Sequence, residues 1–261
     1  MTNIVVLVKQ VPDTYSERKL SGADHTLDRE SADAVLDEIN EKAVEEALKI
    51  KEAGEGEVTV ISVGPARATD AIRKALSMGA DKAIHVSDEA LHGSDAIATA
   101  KVIAAAIGKV EGFDLVIAGN ESSDGRGGAV PAILAELLGL PQVTYVRELA
   151  VDGSTIKATR ETEDGLTHLE ASLPAVVSVG EKINEPRYPS FKGIMAAKKK
   201  PVETFTIADL GVDAGEVGLA NAWSAVTEAS PKPPRTAGEK AEDEGDGGTK
   251  IAEYLVGQKL I

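Results

Sequence analysis

The sequence predicts an α/β fold in which a mainly parallel sheet is sandwiched between helices. Runs of β-branched residues alternate regularly with segments whose apolar residues recur at helical spacing, which is typical of successive strand–helix–strand units. The chain has 261 residues, of which 43% are hydrophobic but only 3% aromatic. Aliphatic side chains must therefore build the core, as is usual for strands that are covered by helices on both faces.

Strands and helices follow one another in a regular order over the first 146 residues. Strands are expected at 4–8, 57–64, 82–87, 114–120 and 142–146. Helices are expected at 34–54, 66–78, 94–110 and 129–139, and the first carries one apolar stripe made of Val35, Ile39, Ala43, Val44, Ala47 and Leu48. Gly54 is a candidate C-cap of the first helix, and Ser94 or Asp95 is a candidate N-cap of the third.

The pattern changes after residue 147. Residues 155–162 and 166–173 alternate apolar and polar positions around the turn-forming Glu-Asp-Gly at 163–165, which predicts a hairpin appended to the sheet. Residues 173–180 form one more apolar run and hence a buried strand. We therefore expect an α/β domain at 1–180 that includes the hairpin at 155–172.

The remaining residues are expected to form a recognition segment at 181–200 and an extended arm at 201–261. Residues 230–248 have the proline, glycine and charge content of an extended linker, and a short amphipathic piece follows at 251–261. A linker that leads to an amphipathic segment suggests an arm lying on another chain, although composition alone equally fits a flexible tail.

Composition excludes several kinds of function. The formal net charge of -15 argues against a general nucleic-acid-binding protein, which would need a surplus of Lys and Arg. Thiol chemistry is excluded because the chain has no cysteine, and its four scattered histidines do not suggest a zinc site. The first apolar run, Ile4 to Val8, is too short for a signal peptide or a membrane span, so we expect a cytoplasmic protein.

A glycine-rich loop after the fourth strand is the candidate ligand site. It reads GNESSDGRGGAV at 119–130. Its glycines let the backbone approach a ligand, the following helix start offers unpaired N–H groups to a phosphate, and Arg126 adds a positive charge. The loop matches neither the dinucleotide-binding nor the Walker A pattern. A phosphate-holding loop is favoured over a flexible surface turn.

No set of residues in the sequence assembles a catalytic site. Ser122 and Ser123 do not stand in a GxSxG nucleophile elbow, and acidic pairs such as Glu45 and Glu46 are expected on a solvated helix face. We therefore expect a nucleotide-holding domain that is not an enzyme and has neither catalytic residues nor metal ligands.

The stretch YPSFKGIMAAKKKP at 188–201 is unusual in so acidic a chain. Tyr188, Phe191, Ile194 and Met195 precede the lysines at 198–200. The residues alone leave two interpretations open. One is an exposed docking surface; the other is a helix that packs Ile194 and Met195 into the core.

Several segments in order resemble the β subunit of electron-transfer flavoprotein, the FixA family of bacteria. They are VLVKQVPD at 6–13, AVEEALKIKE at 43–52, GPARATDAIRKALSMGADKAIHV at 64–86, LPAVVSVGEKINEPRYPSFKGIMAAKKK at 173–200 and PPRTAG at 233–238. The resemblance covers nearly the whole chain. It implies an adenine-nucleotide α-hydrolase-like, Rossmann-like domain that holds a structural AMP. It also implies a heterodimer with an α subunit that carries the redox-active FAD.

The resemblance also implies an AMP site made of separate pieces of the chain, with mostly backbone contacts. Its residues would be Leu7, Asp37, Glu38, Ile39, Asn40, Val63, Gly119, Asn120, Glu121, Ser122, Ser123, Asp124, Gly125, Arg126, Gly127, Gly128, Ala129 and Val130. Many relatives have Asn-Pro-aromatic before the AVEEA helix, whereas this chain has DEIN at 37–40, so an aromatic contact from position 39 to the flavin is lost.

The resemblance further implies roles in electron transport. Tyr188, Phe191, Ile194 and Met195 would dock acyl-CoA and related dehydrogenases of fatty acid oxidation, with Phe191 as the anchor. Electrons would pass through the α-subunit FAD to a membrane quinone oxidoreductase of the respiratory chain. Glu161 would hold the mobile FAD domain by an ion pair, and the arm would embrace the α subunit.

Two alternatives remain. The first is the subunit of a bifurcating flavoprotein, which would hold a second FAD in place of AMP. Such relatives tend to have DGDTAQVGP where this chain has DGRGGAVPA at 124–132, which is closer to the non-bifurcating kind. The second is a stand-alone nucleotide-binding stress protein, which would not need residues 181–261.

Overall fold

The structure is a computed structural model and describes residues 2–230, 232–235, 237–238 and 240–261. The chain divides into two units, residues 1–227 and 228–261. None of the helices in the described residues combines the length and hydropathy that a membrane crossing requires.

The predicted strands and helices occur in the first unit in the predicted order, and three short strands that were not predicted are added to them. The strands are β1 Ile4–Leu7, β2 Gln10–Pro12, β3 Ala34–Leu36, β4 Val58–Val63, β5 Lys82–Val86, β6 Leu115–Gly119, β7 Gln142–Asp152, β8 Thr155–Thr162, β9 Gly165–Ser172, β10 Ala175–Val179 and β11 Val202–Phe205. The three that were not predicted are β2, β3 and β11. The helices are α1 Glu38–Ala53, α2 Thr69–Met78, α3 Ala96–Ile107, α4 Val130–Leu138 and α5 Phe191–Ala197.

Within the described residues, nine strands form one sheet in the order β11-β5-β4-β1-β6-β10-β7-β8-β9. The pairs from β11 to β7 are parallel, and β7, β8 and β9 continue as an antiparallel meander. The chain first moves from β1 to β4 and β5, and then crosses back to place β6 on the other side of β1. This reversal confirms the predicted α/β class and creates a switch point between β1 and β6.

The sheet separates two hydrophobic layers. Ile4 and Val6 of β1 face the layer that contains α1 and α2, whereas Val5 and Leu7 face the layer that contains α3 and α4. The alternation follows from the two-residue period of a strand. It explains why the strands of the parallel part are apolar at nearly every position.

The first helix starts later than predicted, and the expectation of helix at 34–37 is wrong. Residues 34–36 form β3 and pair with β2, so that Val35 is partly exposed rather than on the buried stripe. Asp37 follows this strand and caps α1, because its carboxylate accepts a hydrogen bond from the N–H of Ile39. Gly54 follows the last turn in an extended rather than left-handed conformation.

Two further elements differ from the sequence-based boundaries. Strand β7 runs on to Asp152, because its second half pairs with β8. Strand β11 lies in the stretch assigned to the arm, yet it pairs in parallel with β5 at the edge of the sheet. Asp95, one of the two candidate caps, is the N-cap of α3.

The second unit contains helix α6 at Gly247–Gly257. Its apolar residues Ile251, Tyr254 and Val256 are exposed. The segment has the amphipathic composition expected of residues 251–261, and its preceding linker carries no regular structure in the described residues.

Candidate functional site

The carboxyl ends of β1 and β6, at the switch point of the sheet, gather most of the predicted AMP-site residues. Leu7 ends β1, Val63 ends the neighbouring β4, and Gly119 ends β6. The glycine-rich loop leaves β6 here and leads into α4. The start of α1, with Asp37 and Asn40, lies beside it.

Hydrogen bonds join the start of α1 to β1 and to the glycine-rich loop. The second carboxylate oxygen of Asp37 accepts a hydrogen bond from the N–H of Ser123 at 2.7 Å. The Asn40 side chain accepts one from the N–H of Lys9 at 2.8 Å. A side chain at Gly119 would collide with Ile39 and Asn40, since a Cβ there would lie 2.7 Å from Nδ2 of Asn40. The segment after β1, the start of α1 and the glycine-rich loop are thus joined at one edge of the sheet.

Asp124 is the buried centre of the loop. Its side chain is 2% exposed, and its two oxygens lie 2.7 Å from Nζ of Lys9 and 3.4 Å from Nη1 of Arg29. Burial alone would raise the pKa of Asp124, but Lys9, Ser122 and Arg29 outweigh it and hold that pKa below its ordinary value. The Asp124 carboxylate therefore connects the loop to the segments that follow β1, through Lys9 and Arg29.

The turn of the loop places two residues in the left-handed region of backbone conformation. Arg126 and Gly128 both have positive φ, 48° and 62°. Among the described residues no side chain caps the N-terminus of α4. Pro131 has no N–H, so the N–H groups of Val130 and Ala132 are the ones that can meet an acceptor such as a phosphate. The Oδ1 atom of Asn120 is buried and has no hydrogen-bond partner among the described residues. A buried orphan acceptor beside uncapped amides suits a ligand that donates hydrogen bonds and carries negative charge.

A cleft of about 350 Å³ opens beside the loop, which is within the range of small-molecule sites. Its lining combines the start of α1, the glycine-rich loop and the segment after β2. The lining residues are Thr14, Ser16, Arg18, Glu38, Ile39, Glu121, Ser123, Arg126 and Glu181. Arg18 also donates a hydrogen bond to the carbonyl of Ser123 at 2.7 Å.

Sequence reasoning missed Tyr145, which faces the loop from β7. Tyr145 has a φ of 57°, an uncommon conformation for a bulky residue, and it lies where β7 and β10 slip out of register. A Cβ added to Gly128 would lie 3.1 Å from the Tyr145 hydroxyl. The bulge turns an aromatic side chain toward the site, as bulges near ligand sites often do.

Sequence reasoning also missed Lys9, Arg18 and Arg29 as residues of the site, because their partners lie about a hundred residues away in the chain.

Glu161 lies on the hairpin and is paired within this chain. It accepts a hydrogen bond from Lys182 at 2.8 Å and lies 3.3 Å from Nη1 of Arg147. The bond from Lys182 is the largest effect that lowers the pKa of Glu161. An outside cation would therefore have to compete with two cations of this chain.

The four large apolar side chains within residues 188–195 are exposed. The exposed fractions are 95% for Tyr188, 79% for Phe191, 45% for Ile194 and 50% for Met195. The interpretation that a helix tucks Ile194 and Met195 into the core is wrong, because α5 forms but buries only Ala197. Lys200 does not extend into solvent with Lys198 and Lys199; it donates hydrogen bonds to the carbonyls of Leu76 and Ala80.

The fold and the site define a doubly wound α/β protein with a candidate ligand-binding edge at its switch point and a separate exposed apolar segment. The family model "Electron transfer flavoprotein domain" matches residues 24–210. Electron transfer flavoprotein subunit beta of Mycobacterium tuberculosis is 65% identical over the whole of both chains. The chain belongs to the electron transfer flavoprotein family and corresponds to its β subunit.

More distant relatives cover most of the chain as well. The subunit beta of Thermoanaerobacterium thermosaccharolyticum is 42% identical over 91% of each chain. The Caffeyl-CoA reductase-Etf complex subunit CarD of Acetobacterium woodii is 38% identical and covers 83% of this chain and 82% of its own.

Proposed function

We propose that this chain is the AMP-holding half of a heterodimeric electron carrier whose α subunit binds the redox-active FAD. The flavin would accept electrons from acyl-CoA and related dehydrogenases and pass them to a membrane quinone oxidoreductase. The chain supplies a nucleotide site, a docking surface and an arm for the α subunit, and takes no chemical step itself. We place this function in the cytoplasm.

The observation that carries the nucleotide assignment is the edge at the switch point. A phosphate would meet the uncapped N-terminus of α4, and Gly128 would let the loop backbone approach it. The orphan Oδ1 of Asn120 would accept a hydrogen bond from the ribose or the adenine amino group. These residues fit AMP, and the bound nucleotide would stabilise the loop rather than react.

The docking role rests on the four exposed apolar side chains of residues 188–195. Exposed aromatic anchors surrounded by polar residues are typical of interaction hot spots. Lys192, Lys198 and Lys199 flank this patch and form no ion pair with the described residues. In a chain of net charge -15 such a local surplus of cations favours a partner with an acidic rim.

Helix α6, in the predicted arm, offers another exposed apolar surface to a partner chain. Ile251, Tyr254 and Val256 of α6 are exposed, and burial of such a face against the α subunit would supply the stabilisation that a short helix lacks by itself.

A bifurcating subunit is the second candidate. CarD of Acetobacterium woodii belongs by its name to a reductase–Etf complex. A second FAD at this site is therefore one of the outcomes that the experiment distinguishes.

Quantifying the bound nucleotides tests the proposal. The chain is co-expressed with its α subunit, purified without added nucleotide and denatured, and the released AMP and FAD are measured by chromatography. One AMP and one FAD per heterodimer are expected. Two FAD and no AMP would overturn the AMP assignment and establish a flavin site in this chain.

A further inference from the structure

Residues 184–187, which lead into the exposed apolar segment, are fastened to helix α1. The Asn184 side chain donates hydrogen bonds to the carbonyl of Lys42 at 3.0 Å and to Oε2 of Glu46 at 2.9 Å. Lys42 returns a hydrogen bond to the carbonyl of Asn184 at 2.7 Å. The residues that precede the exposed segment are therefore attached to α1 before the chain reaches Tyr188.

Arg187 joins this segment to two carboxylates of α1. Its Nε and Nη2 atoms donate to the two oxygens of Glu45 at 2.8 and 3.0 Å, and its backbone N–H donates to the same carboxylate at 3.1 Å. Nη2 also donates to Glu52 at 3.0 Å. The side chain of Arg187 is 33% exposed and that of Glu45 9%. These bonds raise the pKa of Arg187 and lower that of Glu52. The expectation that Glu45 and Glu46 lie on a solvated helix face is therefore wrong, because both are buried under this segment.

The far end of the segment is held by α2. Arg73 donates hydrogen bonds to the carbonyls of Ala197 and Lys200 at 2.7 and 2.9 Å. Gly193 lets α5 lie directly against α2, because a Cβ at this position would collide with the carbonyl oxygen of Ser77. The exposed side chains between the two fastenings thus project from a fixed backbone.

We propose that Arg187 is a positioning residue for the docking surface, whose orientation it sets through Glu45 and Glu52. This inference rests on the docking role proposed above. Tyr188 directly follows Arg187, so the ion pairs determine where the first exposed aromatic residue leaves the α/β domain. A surface that is ordered before the encounter loses less conformational entropy on binding, and its affinity is correspondingly higher.

The geometry requires arginine rather than any cation. Only a planar guanidinium can bond both oxygens of Glu45 and reach Glu52 at the same time. Lysine at this position would keep the charge but offer a single point of contact. We therefore expect Arg187→Lys to lose positioning while it leaves Glu45 partly neutralised and the fold intact.

The experiment compares Arg187→Met, Arg187→Lys and Glu52→Gln with the wild type, each as the purified heterodimer. Reduction of the flavin by an acyl-CoA dehydrogenase with its acyl-CoA substrate gives KM for the dehydrogenase and kcat. Amide hydrogen exchange of residues 188–197 gives the order of the segment. Lys101→Met is the matched control, since Lys101 pairs with the exposed Glu216 at 3.0 Å on α3.

For both Arg187 variants we expect KM to rise about tenfold, equivalent to about 1.4 kcal/mol, with kcat and FAD content unchanged. Exchange should accelerate in residues 188–197 alone. Glu52→Gln should have a smaller effect, and Lys101→Met none. Faster exchange throughout the chain with a lowered Tm in both Arg187 variants would reduce Arg187 to a structural role and overturn the proposal.

Phe191→Ala in the same assay separates the two proposals. If Phe191→Ala raises KM and the Arg187 variants do not, the positioning role is wrong and the docking role stands. If neither Phe191→Ala nor the Arg187 variants change KM, the segment does not dock the dehydrogenase, and both proposals fall.

Discussion

Lys9 and Asp124 form a 2.7 Å ion pair across 115 positions of the sequence, with the Asp124 side chain only 2% exposed. This pair ties the end of β1 to the glycine-rich loop. Arg29 adds a second contact to the same carboxylate. The loop that we assign to AMP is therefore held in place through the Asp124 carboxylate, while the N-terminus of α4 that follows it has no side-chain cap among the described residues.

Asp124→Asn should destabilise the protein and weaken its hold on AMP. The variant leaves Lys9 and Arg29 without their carboxylate, and losing such charge-assisted bonds costs about 1–3 kcal/mol. For a chain of this size each 1 kcal/mol shifts Tm by about 2–4 °C. Calorimetry of the heterodimer measures the shift. Asp152→Asn, at an exposed pair with Lys157, is the control and should leave Tm unchanged.

The loss of stability caused by Asp124→Asn should depend on pH. Because the folded pKa of Asp124 is lowered, its carboxylate stabilises the fold above its ordinary pKa of about 3.9, and this stabilisation is lost as the pH falls through the folded value. The gap in Tm between wild type and variant should thus be constant near neutral pH and shrink below about pH 4. A gap that stays constant down to the acid end would contradict the assignment of charge to Asp124.

Gly128→Ala should release AMP, whereas Gly127→Ala should not. Gly128 has a φ of 62° and its Cβ would meet the Tyr145 hydroxyl, and a left-handed conformation costs an L-residue about 1–2 kcal/mol. A Cβ at Gly127 would have no heavy atom within 4 Å. AMP retained after purification is the measurement. Equal retention by the two variants would mean that the conformation at Gly128 does not matter for binding.

Phe191→Ala should slow reduction by dehydrogenases and leave heterodimer formation and FAD content intact. Phe191 is 79% exposed, so its removal costs the fold little, while truncation of a hot-spot residue costs an interface about 2 kcal/mol or more. Stopped-flow reduction measures the effect. Leu166→Ala, at an exposed position of the β9 hairpin strand, is the matched control. Unchanged rates in Phe191→Ala would rule out docking at this site.

Glu161→Gln should shorten the time for which the FAD domain stays in contact with this chain. Glu161 is solvent-accessible, as its pairs with Lys182 and Arg147 show. An ion pair from the FAD domain to such a residue contributes about 0.2–1 kcal/mol, which corresponds to about a 1.4-fold to fivefold change. Fluorescence energy transfer between dyes on the two subunits measures the motion. Glu163→Gln, at the exposed turn of the hairpin, should behave like the wild type.

The order of strands and helices could be predicted because periodicity is local. The buried runs of β1, β4, β5 and β6 and the apolar stripe from Ile39 to Leu48 identify their elements from neighbouring residues alone. The glycine-rich loop could be located for the same reason, since it follows β6 directly. Residues 34–36 show the limit of prediction from local periodicity. Their apolar spacing suits a helix, but they form strand β3 because β2 is available as a pairing partner.

The sequence by itself determined the α/β class, the place of the loop after β6 and, through its resemblance, the family. The tertiary structure alone decided which side chains meet: Lys9 with Asp124, Tyr145 with the glycine loop, Arg187 with Glu45, and β11 with β5. Each of these contacts joins residues that the chain separates by many positions. Their formation depends on strand order, register and helix packing, whose energies are shared over the whole sheet and cannot be read from any one segment.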